Sequence, residues 1–307
     1  MKLTWAGVGG AFAGVDQWHT NAVIEAENGK KLLVDVGGDI RHSLAQIGLG
    51  ILDIDAIYIS HLHGDHCYGA EWAGFLSFFH PAYENRPKLY IVDALIGDLW
   101  DTLKGSMESL EGQVATLYTY FDVHPISINS SIIWQGVHLT PVQTVHVVSG
   151  YGIKHSYGLI VKGKKFNQQI FLTTDTQFSP RQIEKFYKES DHIFHDCETL
   201  PFRSNVHAHI LDLDTLDPDI KSKMRLIHYA PGHDFDAEAM GFAGFVERGQ
   251  YFEFKGDEMT IGKTPEAFHV VPAEMFKKMQ AALTIIENMN ANDWSSFATP
   301  DQINTLI

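Results

Sequence analysis

Cysteine is nearly absent: Cys67 and Cys197 are the only two in 307 residues. Two thiols cannot build the disulfide framework of a small secreted scaffold, and they suit a reducing compartment such as the cytoplasm. Long apolar runs are missing too. None approaches the roughly 18–20 residues of a membrane helix, so no membrane span is expected. Met1-Lys2-Leu3-Thr4-Trp5 leads straight into Gly-rich sequence with no apolar h-region, and no secretory signal is expected. Positive charge is scarce. There are 23 Lys and Arg against 38 Asp and Glu, a net charge of −15, and the densest basic cluster is only Lys162, Lys164 and Lys165. Basic side chains supply most of the affinity for a long polyanion, so a large nucleic acid fits poorly and a small phosphorylated substrate fits better. What is present is a composition of 45% hydrophobic and 12% aromatic residues, enough for a sizeable core and incompatible with disorder or a collagen-like chain.

The first half alternates strand-like and helix-like segments. Ala22–Ala26 and Lys31–Val36 flank Asn28-Gly29, a hairpin signal. Gly37-Gly38-Asp39 stops the second strand, and Ile40–Ile47 reads as a short helix. Ile54–Ser60 reads as a buried strand; further strands are expected at Lys88–Val92, Gly136–Val142, Gly158–Lys162, Gln169–Thr173 and Arg225–His228. Helices are expected around Ala94–Lys104, Pro180–Glu189 and Asp236–Phe245. From Pro272 the pattern turns helical, with Phe276, Met279, Leu283 and Ile286 forming one apolar stripe. The division expected is a main domain over residues 1–260 and a helical C-terminal extension over 261–307.

Seventeen histidines carry the chemical signal. His61, His63, Asp65 and His66 fall within six residues at the end of a strand, where side chains can converge on one small volume. Hydrophobic burial gives no reason to cluster three imidazoles and a carboxylate, whereas metal binding does. His146, Asp175 and His228 each follow an apolar, strand-like run, which would bring them to one sheet edge.

The string His61-Leu62-His63-Gly64-Asp65-His66, followed by His146, Asp175 and His228 in that order, resembles the metallo-β-lactamase superfamily. The resemblance spans roughly residues 1–255 and implies an α/β fold, a four-layer αββα sandwich. It also implies a two-metal site. His61, His63 and His146 would hold one ion, Asp65, His66 and His228 the other, and Asp175 would bridge. Imidazole-plus-carboxylate donors favour Zn²⁺, with Mn²⁺ or Fe as alternatives. Two such ions about 3.5–4 Å apart activate water at neutral pH and clamp a phosphoryl oxygen, which suits phosphodiester hydrolysis.

Phe194-His195-Asp196-Cys197-Glu198-Thr199, then Asn205-Val206-His207-Ala208-His209 and Leu226-Ile227-His228-Tyr229, resemble the ribonuclease Z-like phosphodiesterases. That likeness gives His207 the role of protonating the leaving oxygen, with Asp196 or Glu198 as the carboxylate that orients it; the segment is one residue longer than the family's motif, so both remain candidates. The tRNA 3′-processing members carry a long arm between the third histidine ligand and the bridging Asp. Here only 28 residues separate His146 from Asp175, leaving no room for it. The stretch from Val206 to Tyr229 is most similar to the small anti-Pycsar-type cyclic nucleotide phosphodiesterases. This implies hydrolysis of cyclic mononucleotides to linear monophosphates by a homodimer. RNA processing, other small-phosphodiester hydrolysis, thioester or lactam hydrolysis and non-catalytic nucleotide sequestration are the competing readings. For contact with a base, the candidate aromatics are Trp18, Tyr68, Phe75, Phe78, Phe79, Tyr151 and Phe202.

Overall fold

A computed structural model describes residues 1–81, 86–128 and 130–265. The helix expected after Pro272 lies outside the described residues. In chain order the strands of the first half are β1 (Lys2–Gly7), β2 (Asn21–Glu25), β3 (Lys31–Val34), β4 (Ala56–Ile59), β5 (Lys88–Val92), the small hairpin β6 (Ser109–Leu110) and β7 (Gln113–Val114), and β8 (Asp122–Ile126). The second half supplies β9 (Ile132–Trp134), β10 (Val137–Ser149), β11 (Gly152–Gly163), β12 (Gln169–Leu172), β13 (His192–Asp196), β14 (Met224–Ile227), β15 (Gln250–Lys255) and β16 (Glu258–Lys263). One sheet has the order β16-β15-β1-β2-β3-β4-β5-β8 and the other β14-β13-β12-β11-β10-β9. Strand β16 runs to Lys263, so residues 261–263 belong to the sheet and not to the helical extension placed there from sequence.

Strict alternation along the strands builds the layers. Leu32 and Val34 of β3 point into the core between the sheets, while Leu33 points to the opposite face. Ala56 and Tyr58 of β4 do the same against Ile57 and Ile59. On the second sheet Ile170 and Leu172 face inward and Phe171 outward. Because both faces of these strands are covered, their sequences read as near-continuous apolar runs. The outer faces are covered by helices, among them α1 (Ile40–Gln46), α2 (Gly64–Cys67), α3 (Ala70–Phe79), α4 (Ile96–Met107) and α5 (Leu117–Tyr120) in the first half, and α6 (Pro180–Glu189), α7 (Ile210–Leu213) and α8 (Pro218–Lys221) in the second. In α4 the buried residues are Leu99, Leu103 and Met107, each four apart on one face. This is the αββα sandwich expected from the resemblance.

Two local expectations change. The helix expected over Asp236–Phe245 is a run of turns. Gly241 and Gly244 sit at φ 90° and 107°, outside helical space, and the segment bonds instead to the edge of β14: Ala243 N–H donates to Met224 O and Leu226 N–H to Gly244 O. Strands β10 and β11 are also much longer than the short runs read from sequence, pairing as one antiparallel hairpin from Val137↔Gly163 to Ser149↔Gly152.

Parallel pairing positions the site. Strands β3, β4, β5 and β8 are mutually parallel, as are β12, β13 and β14. Their carboxyl ends gather at one edge, where open α/β sheets place their ligands.

Candidate metal centre

Four residues leave that edge just after a strand: Asp35 after β3, His61 after β4, Asp175 after β12 and His228 after β14; Asp196 is the last residue of β13. At Asp35, Thr174 and His228 the backbone takes φ values of 63°, 50° and 61°. Non-glycine residues rarely occupy this region, and such strain is retained where it aims functional side chains.

Residues 61–63 are extended, so His61 and His63 share a face while Leu62 packs into the helical layer. The single turn of α2 then begins, with His66 and Cys67 N–H both donating to His63 O. That reversal turns Asp65 and His66 back toward the same point. The loop after β3 clasps it, Val36 N–H donating to His66 O and Gly38 N–H to Gly64 O. A Cβ on Gly37 would lie 2.2 Å from Asp65 O, so only glycine permits this approach.

His146 arrives differently. It does not follow its strand, as the sequence suggests, but sits inside β10, where the register shifts between Val145 and Val147. This β-bulge turns the ring toward the others without ending the strand. His146 Nε2 lies 2.9 Å from His63 Nδ1, and its Nδ1 pairs with Val206 O at 2.8 Å.

Asp175 lies between two donor sets. Its Oδ2 is 3.6 Å from both His61 Nε2 and His146 Nε2, whereas Oδ1 is 3.2 Å from His66 Nε2 and 3.4 Å from His228 Nε2. Asp65 Oδ2 joins the second set at 3.3 Å from both His66 Nε2 and His228 Nε2. Asp175 is fully buried, and neither carboxylate oxygen has a hydrogen-bond partner; His61 Nε2 and His66 Nε2 are unpartnered as well. Buried polar atoms are rarely left so, and these converge. Such a donor set fits divalent metal binding.

The surroundings are electrostatically divided. Burial lowers His146 to about 4 and holds His61 well below the ordinary histidine range. For His66 and His228 burial is outweighed by Asp175 and the other carboxylates, which hold both well above it. Asp65 and Asp175 are held well below the carboxylate range by the facing histidines despite burial.

Supporting contacts escaped the sequence reading. Asp35 Oδ2 is 2.8 Å from His66 Nδ1 and also accepts from Ser60 Oγ, while Asp35 Oδ1 accepts from Ser60 N–H. Ser60 and Ser156 hydroxyls lie 3.0 and 3.4 Å from His61 Nδ1. The available signal was Asp35 itself, a charge inside the otherwise apolar run Leu32–Val36.

Beside this cluster, His207 Nδ1 is 2.8 Å from Asp196 Oδ2. Burial opposes a charge on the ring, yet Asp196 outweighs it and raises the His207 pKa. The same oxygen accepts from Thr176 N–H, and Asp196 Oδ1 lies 3.3 Å from His228 Nδ1. Glu198, the other candidate, does not meet His207. Its Oε2 accepts from Ser204 N–H, and its backbone pairs with Ala208 and Ile210. Past the end of β13 the chain turns into the next loop and carries Glu198 to the base of the segment it braces. His209 caps α7, accepting from Leu211 N–H.

A family model described as "Anti-Pycsar protein Apyc1" matches residues 1–252. The chain is 31% identical over 256 residues to the anti-Pycsar protein Apyc1 of Paenibacillus harenae, covering 82% of this chain and 100% of that one. Among solved structures it is similar to the metallo-β-lactamase fold protein YhfI from Bacillus subtilis, with TM-score 0.63, 17% identity and coverage of 82% and 99%. It is also similar to the short form of human tRNase Z, with TM-score 0.59, 17% identity and coverage of 83% and 99%. At such identities the two structures establish the fold alone.

Proposed function

The chain belongs to the anti-Pycsar protein Apyc1 family, and from that premise we propose that it is a dinuclear phosphodiesterase opening cyclic mononucleotides to linear nucleoside monophosphates. The observation that carries the reading is the placement of Asp175 between two donor sets, with His207 and Asp196 alongside. His61, His63, His146 and Asp175 would hold one Zn²⁺; Asp65, His66, His228 and Asp175 would hold the second. When bound, the ions supply an activated water and neutralise charge on the phosphoryl oxygens.

The protein's own contribution is to deliver a proton. An alkoxide is a poor leaving group, and a positioned imidazolium typically accelerates its departure ~10²–10⁴-fold. Asp196 accepts from Nδ1 of His207 and so leaves Nε2 as the proton-bearing nitrogen that faces substrate. As the P–O ester bond breaks, that proton passes to the ribose oxygen, and Asp196 stabilises the imidazolium before transfer.

The net charge of −15 and the short stretch between His146 and Asp175 favour a small substrate over tRNA. No helix among the described residues is long and apolar enough to cross a membrane. A cytoplasmic homodimer completes the proposal.

Product analysis tests it. Metal-loaded protein, with Asp65→Ala and His207→Ala, is offered cAMP, cGMP, cCMP and cUMP alongside pre-tRNA and bis-p-nitrophenyl phosphate. Linear monophosphates that vanish in Asp65→Ala are expected. Cleavage of pre-tRNA with cyclic nucleotides intact would overturn the substrate assignment.

A further inference from the structure

A cavity of about 260 Å³ opens directly beside the proton donor, with His207 and His228 among the residues that line it. Its remaining walls come from two loops, Gly10–Ala13 and Glu198–Val206, with Ala230 and Pro231. Two aromatics stand at this cavity, Phe12 fully exposed and Phe202 62% exposed. Covering such rings removes apolar surface from water, and both sit together at a cleft where a ligand would cover them.

The loops are fixed. Arg203 makes a two-pronged pair with Asp212, Ser204 N–H donates to Glu198, and Gln177 Nε2 donates to Asn205 O. On the other side Ala13 N–H donates to Gly10 O, and Arg248 Nη1 donates to Val15 O. Gly10 packs against the His228 ring, where a Cβ would come within 3.2 Å of Cε1. The Phe12 loop is therefore seated on the metal cluster itself.

We infer that this cleft holds the nucleobase, and that Phe12 and Phe202 determine specificity by stacking on it. The inference rests on the proposed phosphodiesterase reading. The argument is geometric. The oxygen that His207 protonates stays bonded to the ribose, so sugar and base lie on the His207 side of the phosphorus. The cavity lined by that histidine is on this side, and its size matches a base with part of its sugar, the phosphoryl group remaining at the metal cluster. Recognition through ring faces depends on stacked area, because every base has a π-face and purines present more of it. Purine cyclic nucleotides therefore bind more tightly than pyrimidine ones.

The test compares metal-loaded wild type with Phe202→Ala, Phe12→Ala and Phe202→Trp. The substrates are cAMP, cUMP and the base-free 1-O-methylribose 3′,5′-cyclic phosphate, which has the same reacting atoms. Each alanine variant should raise KM for cAMP about ten-fold, and for cUMP by less, with kcat held within about two-fold. On the base-free ester all four proteins should agree, and Phe202→Trp should behave as wild type on every substrate. Alanine variants that match wild type on cAMP, or that lose equally on the base-free ester, would overturn the base subsite while leaving the phosphodiesterase intact. Wild-type protein that turns over none of the three substrates would instead remove the proposed function and this inference with it.

Discussion

The carboxylate of Asp196 lies 2.8 Å from Nδ1 of His207 and also accepts the backbone N–H of Thr176, so the ring is held by a group that is itself held. The second oxygen, 3.3 Å from Nδ1 of His228, ties His207, the proposed proton donor, to His228, a proposed metal ligand, through one side chain. Losing Asp196 therefore differs from losing a surface ion pair.

Asp196→Asn should lower kcat/KM for cyclic nucleotides by roughly 10²–10⁴, about as much as His207→Ala, because either change removes the oriented imidazolium. The double variant should be no worse than the worse single, since groups acting as one unit do not add. Glu198→Gln keeps an acceptor for Ser204 N–H and should change little. Steady-state kinetics on the four proteins, with metal content measured in each, decides between the two carboxylates.

The pH dependence follows from the raised His207 pKa. The donor works protonated, so kcat/KM should hold past the ordinary histidine value of about 6.5 and fall as pH rises through the raised value. Without the carboxylate the imidazolium loses its stabilisation, and in Asp196→Asn this alkaline limb should move to lower pH. A limb that stays in place would assign it to another group. The nitrophenyl ester, whose leaving group needs little protonation, should not show the limb in either protein.

Asp35 touches no proposed substrate or ion but fixes the ring of His66. Groups of this kind typically contribute 10–100-fold to metal affinity, so Asp35→Asn should weaken metal binding by that order in a chelator competition. An unchanged affinity would reduce Asp35 to bracing Ser60.

Removing the ions should destabilise the fold, because it leaves His61, His66 and Asp175 buried with unpartnered atoms. A ligand at 100 times its Kd stabilises by about 2.7 kcal/mol, which calorimetry resolves easily. Titrating zinc into chelator-treated protein should raise Tm until two equivalents are bound. Saturation at one would contradict the bridging role proposed for Asp175.

Much of this was readable along the chain, for particular reasons. His61, His63, Asp65 and His66 are adjacent, and a strand followed by one tight turn can bring them together without help from the rest of the fold. The apolar run Ile54–Ser60 announced a buried strand, and the family resemblance carried by the histidine string implied the layered sandwich. Other features depended on long-range pairing. Asp196 and Glu198 are two apart with similar chemistry; the end of β13 and the contact of Ser204 with Glu198 separate their surroundings. His146 is aimed by a bulge that exists only because β10 pairs with β11, and residues 236–245 are pulled out of helix by bonding to β14. The cleft at Phe12 and Phe202 brings together loops almost two hundred residues apart, which no local pattern could announce. Local sequence determined which residues could bind metal, because short-range geometry sufficed for that. Tertiary structure decided which carboxylate lies against His207 and where a base could rest, because those depend on strands and loops that meet only when the two sheets pack.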